Sequence, residues 1–134
     1  MTATPTFVFD FDSTLVRIET LEALADIALD GDPKADSIRA EIARLTDQAM
    51  AGEVNFGAAL RQRLALLPLT RTHVQALADR ILDEGTWSVR RNLRFFHDNI
   101  GKIVIISGGF REIIAPVAER LGVSPDRVLA NDLV

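Results

Sequence analysis

The chain has 134 residues, 48% hydrophobic and 25% charged, with 8 Gly and 5 Pro. That length carries one compact domain or two small lobes, and the composition excludes disordered, collagenous and coiled-coil classes. A net charge of -4 offers no basic field to a nucleic-acid backbone, and the absence of Cys with only two His excludes disulfide scaffolds, thiolate zinc sites and thiol nucleophiles, so any metal is expected to take oxygen ligands.

The amino-terminal stretch has no basic region, and its apolar run meets Asp10 after three residues. Neither a signal peptide nor a membrane span fits, and the expected compartment is the cytoplasm. Thr6 to Phe9 is β-branched and aromatic and predicts a buried strand, which delivers Asp10 to Thr14 as a polar loop at its carboxyl end. Leu21, Leu24, Ile27 and Ala28 then recur at helical spacing before Gly31, and Ile38, Ile42, Leu45 and Ala49 do so before Gly52. Asn55 caps a third expected helix, with Phe56, Leu60, Leu64 and Leu67 on one face and Pro68 closing it. Thr72 with Gln75 suggests a capping box for a fourth helix bearing Val74, Leu77 and Ile81.

Beyond Gly85 the expected order is a helix with Val89, Leu93 and Phe96, a strand Ile103 to Ile106, a turn Ser107-Gly108-Gly109, a helix with Ile113, Ile114, Val117 and Leu121, and a short strand Val128 to Ala130. Strands alternating with helices predict an α/β fold with a parallel sheet, and the helices between them read as a lobe inserted after the first strand. The expected division is residues 1–16 and 77–134 for an α/β core and 17–76 for a helical cap.

In open α/β sheets ligands bind beyond the carboxyl ends of the strands, which here carry Asp10-Phe11-Asp12 and Ser107-Gly108-Gly109. Carboxylates at i and i+2 of an extended segment can face one side, where one acts as nucleophile and the other as acid and base, or both hold a cation. A serine and two glycines leading into a helix offer a hydroxyl and amide N–H groups to a phosphate. Either loop alone equally suits a turn or helix cap; the two in this order make the stronger pattern.

Asp10-Phe-Asp-Ser-Thr-Leu-Val16, Glu19, Gly52-Glu-Val-Asn-Phe56, Leu60-Arg-Gln-Arg63 and Ile106-Ser-Gly-Gly-Phe110 together resemble the haloacid dehalogenase-like hydrolases, in particular their phosphoserine-hydrolysing branch. The resemblance runs along essentially the whole chain and implies a Rossmann-like core, here its first three strands, with a small inserted helical cap. It implies that Asp10 attacks phosphorus to give an aspartyl-phosphate and that Asp12 protonates the leaving oxygen and then activates water. Asp10, through its side chain, and Asp12, through its carbonyl, are implied to hold Mg²⁺. Ser107 and Gly108 are implied to bind the phosphate.

Glu19, read as a buried acid, and Arg63 are implied to take the ammonium and carboxylate of O-phosphoserine, with Met50 and Phe56 packing over it. Taken singly, Met50 and Phe56 equally suit the core, and Arg63 a solvated helix face. His73 and His97 read as ordinary helix residues and Trp87 as packing near the hinge.

The family's third motif, with a Lys, and its fourth, with a further acid, are not recognisable. The only lysines are Lys34, in the inserted lobe, and Lys102, before its strand. The expectation is an amino-terminal part of a longer phosphatase, weakly active or inactive alone, with an uncovered edge at Phe7 to Phe9 open to self-association. A related phosphatase, a phosphotransferase and a catalytically incomplete binding module remain alternatives. The substrate is expected to be a small phosphorylated amino acid, with no nucleic acid or membrane involved.

Overall fold

The computed structural model describes residues 3–133. Two compact units make up the chain: Met1–Ala23 with Val74–Val134, and Leu24–His73. The division falls within a helix rather than at residues 16/17, and at 73/74 rather than 76/77.

The first unit is built on three parallel strands, β1 (Phe7–Phe9), β2 (Ile103–Phe110) and β3 (Val128–Asn131), in the order β1-β2-β3. Phe7 pairs with Ile103, Phe9 with Ile105, and Ile105 with Val128. On one face Ile103, Ile105 and Val128 are buried, as are Ile113, Ile114, Val117 and Leu121 of a helix. Full burial of each such side chain contributes about 1.5–3 kcal/mol. Phe7 and Phe9 stack edge-on or tilted against Phe95 and Phe96, with ring centroids 5.0–6.4 Å apart. The other face leaves Val8, Ile106 and Leu129 exposed. Right-handed crossovers in a sheet wound in one direction carry both connections to the same face, which accounts for this asymmetry.

The helices are α1 (Thr20–Ala28), α2 (Ala35–Met50), α3 (Phe56–Ala65), α4 (Arg71–Arg80), α5 (Trp87–Arg91), α6 (Leu93–Asp98) and α7 (Arg111–Arg120). Gly31 and Gly52 follow α1 and α2 with φ of 74° and 75°, left-handed turns that stop the helix at little cost only for glycine. The Asn55 side chain accepts the Ala58 N–H at 3.2 Å and caps α3. Among the described residues no helix is long and apolar enough to cross a membrane.

Four local expectations are corrected. The cap of α4 lies two residues before Thr72: Thr70 Oγ1 accepts the His73 N–H and His73 Nδ1 accepts the Thr70 N–H, both at 3.3 Å, so an imidazole fills the reciprocal role usual for Glu or Gln. Gln75 instead donates to Asp79. The single helix over Val89, Leu93 and Phe96 is broken at Asn92, whose side-chain amide donates to the Ser88 carbonyl at 2.7 Å. This puts Phe96 inside but leaves Leu93 exposed, and Trp87 is exposed rather than packed. Finally, Ser107-Gly108-Gly109 is no turn: β2 runs on to Phe110, which pairs with Asn131 after an irregularity in register, and Asn131 donates its side-chain amide to the Gly108 carbonyl at 2.9 Å.

Candidate active site

Asp10 leaves β1 exposed, and its Oδ1 accepts the Phe11 N–H at 2.8 Å. Phe11 is fully buried, and its carbonyl gathers the N–H groups of Thr14, Leu15 and Val16 at 2.9–3.3 Å. A buried aromatic thus anchors the tight turn, Phe11 to Val16, that carries Asp12. Ser13 adopts a left-handed backbone, φ 55°, an uncommon conformation for a residue with a Cβ. Its N–H bonds the Ile18 carbonyl at 3.2 Å and its hydroxyl donates to Glu19 Oε1 at 2.6 Å. Glu19 is therefore a held but exposed acid, contrary to the buried one expected. The loop closes before its carboxyl reaches the interior.

Asp12 is half-buried, and its Oδ1 accepts the Thr20 N–H at the start of α1 at 2.9 Å. Burial pushes its carboxyl above the ordinary Asp range; hydrogen bonds from the Thr20 main chain and hydroxyl oppose the rise, and the negative charges of Glu19 and Asp10 add to it. A carboxyl so placed is suited to hold and release a proton, as an acid–base group requires.

β2 brings Ser107, Gly108 and Gly109 into the same unit. The Ser107 hydroxyl accepts the Gly109 N–H at 2.9 Å, so that amide is engaged within the chain and not free for a ligand. Nor does Ser107 sit at a helix N-terminus: α7 begins at Arg111, after Phe110. Having accepted through its oxygen, Ser107 keeps its own proton to donate, which suits an anionic oxygen. A Cβ on Gly109 would lie 3.1 Å from Ser107 Oγ, 3.2 Å from Thr20 Oγ1 and 3.3 Å from Asp12 Oδ2. Oxygen atoms from β2, the Asp12 loop and α1 therefore converge where the glycine has no side chain. Thr20, buried among these groups, was missed in the sequence because a polar residue in the first turn of a helix ordinarily faces water.

The donors available to a metal are carboxylate and carbonyl oxygens of the Asp10–Asp12 loop, and the through-space charges acting on Asp12 are both negative. This set fits a hard divalent cation. No group of three or more His, Asp or Glu poised for a metal occurs among the described residues.

In the second unit Arg63 is buried on α3, not on a solvated face. Its Nε donates to the Ala59 carbonyl at 3.4 Å and its Nη1 to Thr46 Oγ1 at 3.1 Å, while Thr46 donates its own proton to the Ile42 carbonyl at 2.9 Å. The guanidinium lies 5.9 Å from the centroid of Phe56. No carboxylate pairs with Arg63 among the described residues. Met50 and Phe56 are 77% and 57% exposed, so neither is core.

The family model "haloacid dehalogenase-like hydrolase" matches residues 7–134. The phosphoserine phosphatase of Homo sapiens is 34% identical over 125 residues, covering 93% of this chain and 52% of that protein. A phosphoserine phosphohydrolase-like protein from Francisella tularensis superposes with a TM-score of 0.78 at 27% identity, over 95% of this chain and 58% of that one. A phosphoserine phosphatase solved as a phospho-aspartyl intermediate analogue does so with a TM-score of 0.74 at 29% identity, over 99% of this chain and 58% of that one. The chain spans about half the length of the curated relatives it matches. With its parallel sheet and its acids at a strand's carboxyl end, this chain belongs to the haloacid dehalogenase-like hydrolases.

Proposed function

We propose that the chain acts in the hydrolysis of phosphomonoesters, with O-phosphoserine as substrate, through a phosphorylated Asp10. The observation that carries this reading is the difference in setting of two carboxyls two residues apart: Asp10 is exposed at a strand end, whereas Asp12 is half-buried and the pKa of its carboxyl is raised above the ordinary Asp range by that burial. In this reading an Asp10 oxygen attacks phosphorus, the ester P–O bond breaks, and Asp12 gives its proton to the departing serine oxygen. Asp12 then takes a proton from water as the water oxygen attacks the acyl phosphate, releasing inorganic phosphate and restoring Asp10. Mg²⁺, held by the Asp10 side chain and the Asp12 carbonyl, would offset charge on the transferring phosphoryl group. Ser107 would donate its proton to a phosphate oxygen, beside the Gly108 main chain.

Arg63 supports the choice of an amino-acid substrate. A buried guanidinium without a carboxylate partner is costly unless an anion completes it, and a substrate carboxylate supplies one. Glu19 would take the ammonium, with Met50 and Phe56 as exposed apolar cover. The reaction is assigned to the cytoplasm, with no nucleic-acid or membrane partner.

The test is phosphate release from O-phosphoserine in Mg²⁺ buffer. Slow turnover that disappears with EDTA and in Asp10→Asn supports the reading. Binding without release would leave a binding module, and transfer to a second alcohol in place of water would assign a phosphotransferase.

A further inference from the structure

Thr20 and Arg63 are the buried polar side chains among the described residues. Thr20 is 1% exposed, and a hydroxyl in that setting costs stability unless it is hydrogen bonded. As a helix cap alone its burial is unnecessary, because the N–H that Asp12 accepts belongs to the main chain and any residue would supply it. The hydroxyl is the part that distinguishes threonine here, and its oxygen and an Asp12 carboxylate oxygen lie 3.2 and 3.3 Å from one point, the Gly109 Cβ position.

We propose that Thr20 is a positioning residue: its hydroxyl and N–H together fix one orientation of the Asp12 carboxyl, and Gly109 is the vacancy that lets this pair meet Ser107. The proposal rests on the phosphoryl-transfer reading for its effect on turnover, but not for its effect on the Asp12 side chain. Two donors from one residue define the direction of a carboxylate, which a single main-chain N–H leaves free to swivel about its bond. Separations of 3.1–3.3 Å from the Gly109 Cβ position to the Ser107, Thr20 and Asp12 oxygens leave no room for a methyl without displacing at least one of them. An acid–base group must lie within hydrogen-bond reach of the oxygen it serves, so an error in its direction reduces turnover more than substrate binding.

The experiment compares the full chain with Thr20→Val, which keeps shape but removes the hydroxyl, and Thr20→Ser, which restores it. Crystal structures of each are read for the Asp12 side-chain torsions, and O-phosphoserine turnover is measured beside them. The expected result is a rotated or multiply occupied Asp12 carboxyl in Thr20→Val, and kcat lower by about tenfold or more with KM changed less than about twofold. Thr20→Ser returns the carboxyl orientation and most of kcat. Gly109→Ala should likewise displace the Asp12 or Ser107 oxygen. An unchanged Asp12 orientation in Thr20→Val overturns the proposal, as does a Thr20→Ser variant no better than Thr20→Val. If the unmodified chain turns over no phosphomonoester, the functional reading fails while the Asp12 orientation still decides the role of Thr20.

Discussion

Ser13 donates its hydroxyl to Glu19 across 2.6 Å from a backbone with φ of 55°. The left-handed conformation turns the hydroxyl toward a carboxylate that no basic residue holds among the described residues, and so joins backbone strain to the placement of an exposed acid. Two substitutions separate the two effects. Ser13→Gly relieves the strain and loses the hydroxyl, whereas Ser13→Ala loses the hydroxyl and keeps the strain. Ser13→Gly should be the more stable of the two by about 1 kcal/mol in urea unfolding. Both should lose preference for O-phosphoserine over an aryl phosphate, since neither restrains Glu19. Equal stability of the pair would contradict the strain argument, and unchanged preference would contradict a substrate role for Glu19.

Arg63 offers a trade of stability against function. Its guanidinium is buried with a threonine hydroxyl, a main-chain carbonyl and an aromatic ring, and without a carboxylate among the described residues. Arg63→Met keeps the length of the apolar stem and removes the uncompensated charge, so the melting temperature should rise. The same substitution should lower kcat/KM for O-phosphoserine at least about tenfold while changing that for an aryl phosphate little, because only the former has a carboxylate to lose. A fall in melting temperature would show that the guanidinium is fully satisfied within the chain, and equal losses on both substrates would count against its role in specificity.

Asp12 gives a pH dependence of defined sign. Burial is the main cause of its raised pKa, so the folded chain holds this proton more tightly than the unfolded chain does. Ionised Asp12 therefore costs stability at neutral pH, and that cost fades as pH falls through the folded pKa towards the ordinary value of 3.8. Asp12→Asn, which can still accept the Thr20 N–H, should raise the melting temperature at pH 7 in metal-free buffer and give little gain below about pH 4. A gain independent of pH would assign the effect to something other than ionisation.

Much of the fold was legible because it rests on local physics. Short runs of β-branched, aromatic and other apolar residues marked the three strands, left-handed glycines stopped α1 and α2, and Asn55 capped α3, each determined by residues adjacent in sequence. What was hidden depends on partners far along the chain or on side chains in unusual roles. Ser107-Gly108-Gly109 reads as a turn until Asn131, more than twenty residues later, holds the strand open. His73 closes a helix cap through its ring, a role the usual residue preferences do not anticipate. Asn92 breaks a helix that the apolar periodicity would carry through. At the candidate site the acids stand out by spacing alone, but the burial of Thr20 and of Arg63 is a tertiary property, and each is the opposite of what a polar residue on a helix ordinarily shows.

The central claim is that Asp10 receives the phosphoryl group. The chain is incubated with O-phosphoserine labelled with ³²P in Mg²⁺ buffer, quenched in acid and digested, and the label is located by peptide mapping. The account predicts a hydroxylamine-sensitive acyl phosphate on Asp10 of the unmodified chain, formed more slowly in Asp12→Asn, where the departing serine oxygen is no longer protonated, and absent from Asp10→Asn. Label that persists in Asp10→Asn, or phosphate released by the unmodified chain with no acyl phosphate formed, would contradict it.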